Sequence, residues 1–343
     1  MSNNNLISID LAKNVFQVCV LNEHNKVTIN KKVKRSKLLQ TVIQLDAKNI
    51  VMEACYSSNH WGRVFQDNGF IVKLIPPHQV KPFVVGNKND HNDAIAIAEA
   101  ARRPKATFVA VKSLEQQDIQ SLYRIRDRMI KSRTALANQL RGLLAEYGII
   151  LGKKINTLRK DVPFILEDAD NELTVTSRVF IQDLYDELIE LDEKIQAKAD
   201  QASSLLEENN AYQRLQSIPG VGPIVGGEII AALGCGKQFK NGRQMAAWIG
   251  LTPKQHASGD QSRMLGISKR GNQSLRKQLI HGSRAVINWC EGKDDPLSLW
   301  LQNLLKTKHV CKVVVALANK LARIAWAVLT TGKAFDINCF KAA

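Results

Sequence analysis

The sequence predicts a mixed fold of class α/β + α: an α/β domain at the N-terminus, followed by a chain that is almost wholly helical. Three observations predict it. Short apolar, β-branched runs recur up to residue 75, two long stretches with apolar residues three and four apart follow, and the last third is basic and punctuated by glycine.

The elements follow in order. Leu6–Asp10 and Val15–Leu21 are apolar runs separated by Leu11-Ala12-Lys13-Asn14, a hairpin, and residues 26–33 add a third strand. A helix at 36–46, a strand at Asn49–Glu53, a helix at 58–68 and a strand at 70–75 come next, and Pro76-Pro77 stops the last of these. The alanine-rich residues 94–101 read as a further helix. This order, a meander followed by βαβ units with an acid on the first strand and another on the fourth, is the pattern of an RNase H-like fold. Sugar kinases and actin-like ATPases begin similarly, but their first turn needs glycines to let backbone approach phosphate, and Asp10-Leu11-Ala12-Lys13 has none.

Four carboxylates occupy the ends of these elements. Asp10 closes the first strand, Glu53 closes the fourth, and Asp90 and Asp93 share one face at the head of the alanine-rich helix. Hard cations take oxygen ligands, and a site that must also accept phosphate oxygens supplies them as a few carboxylates. The set therefore points to Mg²⁺ (or Mn²⁺) held by Asp10, Glu53, Asp90 and Asp93.

Charge points to the partner. The 48 Lys and Arg outnumber the 32 Asp and Glu, giving a formal charge of +16, which favours a polyanion. Residues 161–209 hold fourteen acids against three bases, whereas residues 237–284 hold ten bases against the single acid Asp260. A nearly acid-free stretch of that length favours nucleic acid over a merely solvated face. Six scattered cysteines with no C-x-x-C pair indicate neither a zinc site nor a disulfide framework. The N-terminus lacks a basic n-region and no run of eighteen apolar residues occurs, so no membrane partner is expected.

The middle of the chain is helical. Across 113–147 apolar residues recur from Ile119 to Leu144, with Arg124, Arg126, Arg128, Lys131, Arg133 and Arg141 on other faces. In a second helix at 176–208, Ile181, Leu184, Leu188, Leu191 and Ile195 keep heptad spacing, which suits an intermolecular coiled coil or an intramolecular hairpin with the first helix. Near 211 a third unit begins. Its Ile218-Pro219-Gly220-Val221-Gly222-Pro223 string before a helical run has the form of a helix-hairpin-helix, whose Gly220 and Gly222 amides would bind phosphate without reading bases. The expected domains are 1–110, 111–210 and 211–335.

Beyond that turn lie Gly250-Leu251-Thr252-Pro253, then Ala257-Ser258-Gly259, then Ser268-Lys269-Arg270-Gly271-Asn272 and Leu275-Arg276-Lys277. With the acid set and the helix Arg133-Thr134-Ala135-Leu136-Ala137-Asn138-Gln139-Leu140-Arg141, these motifs span nearly the whole chain. They resemble the IS110 family of insertion-sequence transposases, close to its IS1111 subgroup and related to the Piv DNA invertases. The resemblance implies a RuvC-like DEDD domain, a helical coiled-coil region and a mainly α transposase domain with a serine nucleophile. That nucleophile falls on Ser258. Members often carry two serines before the glycine, and here Ala257 takes the first place; Ser262 and Ser268 are the other serines nearby.

By the same resemblance, Ser258 Oγ attacks a DNA phosphate to give a phosphoserine link, assisted by Mg²⁺ on the acid set, with no ATP; no P-loop occurs. Double-stranded donor and target DNA are the substrates, a structured guide RNA (bridge, or seeker, RNA) is the implied partner, and the protein works as dimers assembling to a tetramer. The bacterial cytoplasm, with the nucleoid, is the expected location. Lys254, Arg263, Lys269, Arg270, Arg276 and Lys277, with Arg133 and Arg141, are read as nucleic-acid contacts. The residues alone also admit a RuvC-type metal-dependent DNA junction nuclease, in which Ser258 is structural, or a non-catalytic architectural DNA-binding protein.

Overall fold

The structure, a computed structural model, describes residues 5–86, 89–258 and 261–340. The chain divides into two compact units: one holds residues 1–115 with 236–240, the other 116–235 with 241–343.

The first unit is built on five strands, β1 (Leu6–Asp10), β2 (Val15–Leu21), β3 (Val27–Lys34), β4 (Asn49–Glu53) and β5 (Ile71–Ile75), in the order β3-β2-β1-β4-β5. β2 runs antiparallel to β1 and β3; β4 runs parallel to β1 and β5. Three strands begin and end where the hydrophobic runs predict, because those runs are buried on both faces and bounded by polar turns. Helix α1 (Leu38–Ile43) is shorter than expected, since residues 35–37 form a 3₁₀ turn first. α2 (Ser58–Asp67), the single turn α3 (Pro77–Val80) and α4 (Asp90–Ala101) complete the unit.

Alternation assigns each strand residue to a face. Ile7, Ile9, Phe16, Val18, Ile50, Met52 and Leu74 pack with Leu38 and Val42 of α1 and Trp61 and Phe65 of α2. On the opposite face, Val51 and Ile75 meet Ala96, Ile97 and Ala100 of α4, and Cys19 and Leu21 meet its Ala94 and Ala98. Small alanines let α4 lie close to the sheet. Ser8, the polar residue between Ile7 and Ile9, is fully buried on that face and donates to the Ala94 carbonyl at 2.7 Å.

The second unit contains α5 (Leu114–Ala145), α6 (Ile155–Glu167), α7 (Val175–Ser204), α8 (Asn210–Leu215), α9 (Pro223–Leu233) and α10 (Gly242–Ile249). A ribbon of β6 (Pro253–Ser258) and β7 (Gln261–Ile267) precedes α11 (Gln273–Asn288), α12 (Pro296–Thr307) and α13 (Val310–Thr331). The heptad seam closes within the chain: Ile181 and Leu188 of α7 pack against Leu136, Leu140 and Leu144 of α5 and Leu158 and Val162 of α6. α6 carries Pro163 in its interior, which leaves the Arg159 carbonyl without a helical donor. The Tyr185 hydroxyl supplies one at 3.0 Å. α13 has the length and apolarity of a membrane span, yet Leu317, Ala318, Leu321, Ala322 and Ala325 are fully buried within its own unit.

Candidate active site and nucleic-acid interface

Two strand ends and a helix start build the acid edge. Ser8 on β1 and Val51 on β4 face α4, so Asp10 and Glu53, two residues further along each strand, lie on that face too. The parallel register Ile9↔Met52 puts Asp10 and Glu53 level at the C-terminal ends of neighbouring strands. Burial pushes the nearby Cys55 thiol pKa up, backbone hydrogen bonds at Ser57 and Ser58 oppose the rise, and the Glu53 and Asp10 carboxylates add to it.

Asp90 and Asp93 stand in the first turn of α4, where the macrodipole favours carboxylates. Asn89 caps that turn, accepting from the Asn92 amide at 2.8 Å. Asp93 is half-buried and stands one turn before Ile97, which packs on the sheet. Asp90 is directed instead to β3, where Lys32 Nζ lies 3.6 Å away with both side chains mostly exposed. Among the described residues, no three His, Cys, Asp or Glu side chains stand at metal-holding spacing.

One residue of this edge is absent from the sequence reading. Gln17 pairs with Asp10 across the β1–β2 ladder and is buried. Its Nε2 donates to Asn30 Oδ1, and Asn30 Nδ2 donates to the His91 carbonyl in α4. This relay fixes the amide orientation and leaves Gln17 Oε1 buried with no donor. A glutamine inside an otherwise apolar strand was the available signal.

In the second unit, Ser258 ends β6 and is exposed, paired with Gln261 of β7. Gly259, its partner in the Ser-Gly step, lies outside the described residues. The flanking motifs clamp the ribbon at its base. Gly250 (φ 82°) and Gly271 (φ 83°) take left-handed backbone, and each lies so close to main chain, Gly250 to Arg270 and Gly271 to Trp248, that a side chain would collide. Ser268 N donates to Thr252 O at 2.8 Å and Lys269 N to Gly250 O at 3.1 Å.

The predicted nucleic-acid contacts divide sharply. Lys254, Arg263, Lys269 and Arg270 are exposed. Arg276 is only 8% exposed, and its guanidinium donates to the Ile249 and Arg270 carbonyls, so the reading of it as a surface contact is corrected to a brace under the ribbon. Lys277 pairs with Asp127 at 2.6 Å. Arg133 joins Arg159 on the two oxygens of Asp192, and Arg141 donates to the carbonyls of Ala137, Gly152 and Lys153, so both brace the helical bundle. Composition registers the sign of a charge and not the direction it faces. Gly220 packs against α11, where an added Cβ would lie 2.7 Å from the Gly282 carbonyl, while Gly222 caps α9 in open space.

Residues 7–149 match a DEDD transposase domain model of the IS110 type, and residues 212–296 match the model described as the transposase IS116/IS110/IS902 family. The transposase for insertion sequence element IS1111A of Coxiella burnetii is 45% identical over 325 residues, covering 95% of this chain and 89% of that one. The transposase for IS1328 of Yersinia enterocolitica is 35% identical over 338 residues, covering 98% and 100%. A pilin gene-inverting protein of Moraxella bovis is 23% identical over 348 residues, covering 96% and 97%. Similarity over nearly the full length of these proteins places the chain in the IS116/IS110/IS902 family of insertion-sequence transposases, enzymes that cut and rejoin DNA.

Proposed function

We propose that the chain is a serine-dependent DNA recombinase in which an RNase H-like, RuvC-type domain supplies a Mg²⁺ site and Ser258 supplies the nucleophile. The observation that carries this reading is the level placement of Asp10 and Glu53 on the α4 face of adjacent parallel strands, with Asp90 and Asp93 in the first turn of α4. The strand order β3-β2-β1-β4-β5, with only β2 antiparallel to β1 and β3, supports the RNase H-like assignment. The functional division into 1–110, 111–210 and 211–335 belongs to the same proposal.

The donor set suits Mg²⁺ or Mn²⁺. It consists wholly of hard oxygens, and the buried Gln17 Oε1 is an acceptor that lacks a donor beside Asp10. Asp10, Glu53, Asp90 and Asp93 would hold the ion. Asp90 reaches it by leaving an exposed pair with Lys32 that is worth at most about 1 kcal/mol. Bound there, the cation supplies Lewis-acid neutralisation of charge on a reacting phosphate.

Ser258 Oγ then attacks the DNA phosphate, the strand's oxygen leaves as a hydroxyl, and the phosphoserine link conserves the bond energy for rejoining. Lys254, Arg263, Lys269 and Arg270 grip backbones from the ribbon and its base. The α8–α9 pair serves as a helix-hairpin-helix whose Gly222 end meets phosphate. A structured guide RNA chooses the DNA by base pairing, leaving the protein to hold shape and charge. The net charge of +16 suits two polyanions at once. Assembly as dimers that join into a tetramer, in the bacterial cytoplasm, completes the reading.

The test is recombination between donor and target plasmids by the full chain with RNA transcribed from the DNA flanking its gene. Ser258→Ala is expected to abolish both recombination and covalent DNA trapping. Asp10→Asn is expected to slow recombination by on the order of 10²–10³-fold while the protein still binds DNA. Trapping by the Ser258→Ala protein would sink the serine mechanism, and recombination without the RNA would sink the guided one.

A further inference from the structure

The ribbon that carries Ser258 has two unlike faces. Cross-strand partners share a face, and the register pairs Ser258 with Gln261, Ala257 with Ser262, His256 with Arg263 and Gln255 with Met264. Period-two alternation then sets Ser258, Gln261, His256 and Arg263 on one face and Ala257, Ser262, Gln255 and Met264 on the other. The second face is internally bonded, with Gln255 Nε2 donating to Ser262 Oγ at 2.9 Å. On the first face, neither His256 nor Arg263 is tied to a partner by any hydrogen bond or ion pair found among the described residues, and both are exposed. Successive residues on one face are about 6.6 Å apart along a strand, and paired side chains are about 5 Å apart across the ladder. One phosphate spans such a triangle.

The bland account of exposed His and Arg is solvation. Two features weigh against it. A lone two-stranded ribbon is marginally stable in water, yet this one presents Met264 at 62% and Leu265 at 44% exposure. Its base, meanwhile, is fixed by Gly250, Gly271 and the buried Arg276. A projecting element held so firmly at its root, with a hydroxyl, an imidazole and a guanidinium on one face, is built to meet a ligand.

Building on the assignment of Ser258 as nucleophile, we propose that His256 and Arg263 are catalytic residues of the same step. Arg263 binds the non-bridging oxygens of the scissile phosphate, for which its planar fork is suited. His256 takes the proton from Ser258 Oγ as the Oγ–P bond forms and returns it to the leaving oxygen as the P–O bond breaks. Atoms and charge balance: hydroxyl and phosphodiester become a phosphoserine link and a strand-end hydroxyl, with the imidazole returned to its starting state.

The experiment measures the rate of covalent protein–DNA adduct formation by the full chain with its RNA and a duplex bearing the donor junction. The cleaved position is mapped with the wild type. Arg263→Ala is expected to slow adduct formation by about 10²–10³-fold on ordinary DNA. On a duplex with a neutral methylphosphonate at that position, the penalty should shrink by at least about tenfold, because no oxygen charge remains to be held. His256→Ala is expected to be slower by about 10²-fold or more and to recover when imidazole is added. An Arg263→Ala penalty equal on both substrates overturns the phosphate role, and a His256→Ala rate that is near wild type or unmoved by imidazole overturns the proton role. Ser258→Ala runs in parallel. If it still traps DNA, the nucleophile assignment fails; if it is inert while the other two variants act as wild type, only this inference fails. Thermal melting of each variant checks folding, which these exposed positions should leave unchanged.

Discussion

The acid edge and the Ser258 ribbon are opposite solutions to placing chemistry. Asp10 and Glu53 sit at the ends of strands whose neighbours Ile9 and Met52 are fully buried, beside a helix bonded to the sheet through Ser8. Ser258 sits on a ribbon whose residues are nearly all exposed and whose order comes from its base. Charge stabilisation gains from groups that do not reorganise, so carboxylates belong on a rigid sheet. A nucleophile that must reach a phosphate of a bulky duplex gains from projection. Stability and reactivity are therefore assigned to different places, and substitutions should separate them.

The largest separation is expected at Ser258. Ser258→Ala should cut adduct formation by on the order of 10⁴-fold or more while leaving the melting temperature unchanged. An adduct in that variant would mean that the ribbon only positions DNA. Next come Asp10→Asn and Glu53→Gln, which keep shape and remove charge. Each should slow recombination by on the order of 10²–10³-fold. Mn²⁺ binding by isothermal titration should weaken in parallel, and Gln17→Met should weaken it by roughly 10–100-fold. Unchanged Mn²⁺ affinity in all three would remove the metal from this edge.

Stability should show the reverse ranking. Ile9→Ala, beneath the acid edge, should cost about 2–5 kcal/mol by chemical denaturation. Met264→Ala on the ribbon should change stability by less than about 0.5 kcal/mol. A comparable cost at Met264 would mean that the ribbon is packed and not free.

The same contrast explains what could be read from sequence. β1, β2 and β4 were legible to the residue because both faces are buried and each run ends in a polar turn. α6 was hidden by Pro163, whose missing donor to the Arg159 carbonyl is replaced by Tyr185, 22 residues on in sequence. The ribbon was illegible for a different reason: with both faces in solvent, Pro253–Ser258 carries no hydrophobic alternation to find. Arg276 misled because it belongs to a basic run yet turns inward to the Ile249 carbonyl. At the acid edge the residue types were legible, while the register that sets Asp10 beside Glu53, and the burial of Gln17, needed the fold.

The smallest expected effect lies in the interior of the second unit, at Glu228 on α9. Burial pushes its pKa up, Asp127 adds to the rise, and the hydrogen bonds from Ser274 (2.8 Å) and Gln278, with the charge of Lys277, oppose it. A carboxyl whose folded pKa is raised holds its proton more tightly in the folded state. Its contribution to stability is therefore full below the ordinary value of 4.5 and is lost as pH rises through the folded value. Glu228→Gln keeps an acceptor for Ser274 and removes the titration. The wild type should lose melting temperature relative to this variant as pH rises above 4.5, with the gap widening in that direction. A gap that is constant with pH would mean that Glu228 stays ionised throughout, its charge fully met by Ser274 and Lys277; the polar cluster would then be a rigid brace for α11, the helix that anchors the ribbon through Arg276.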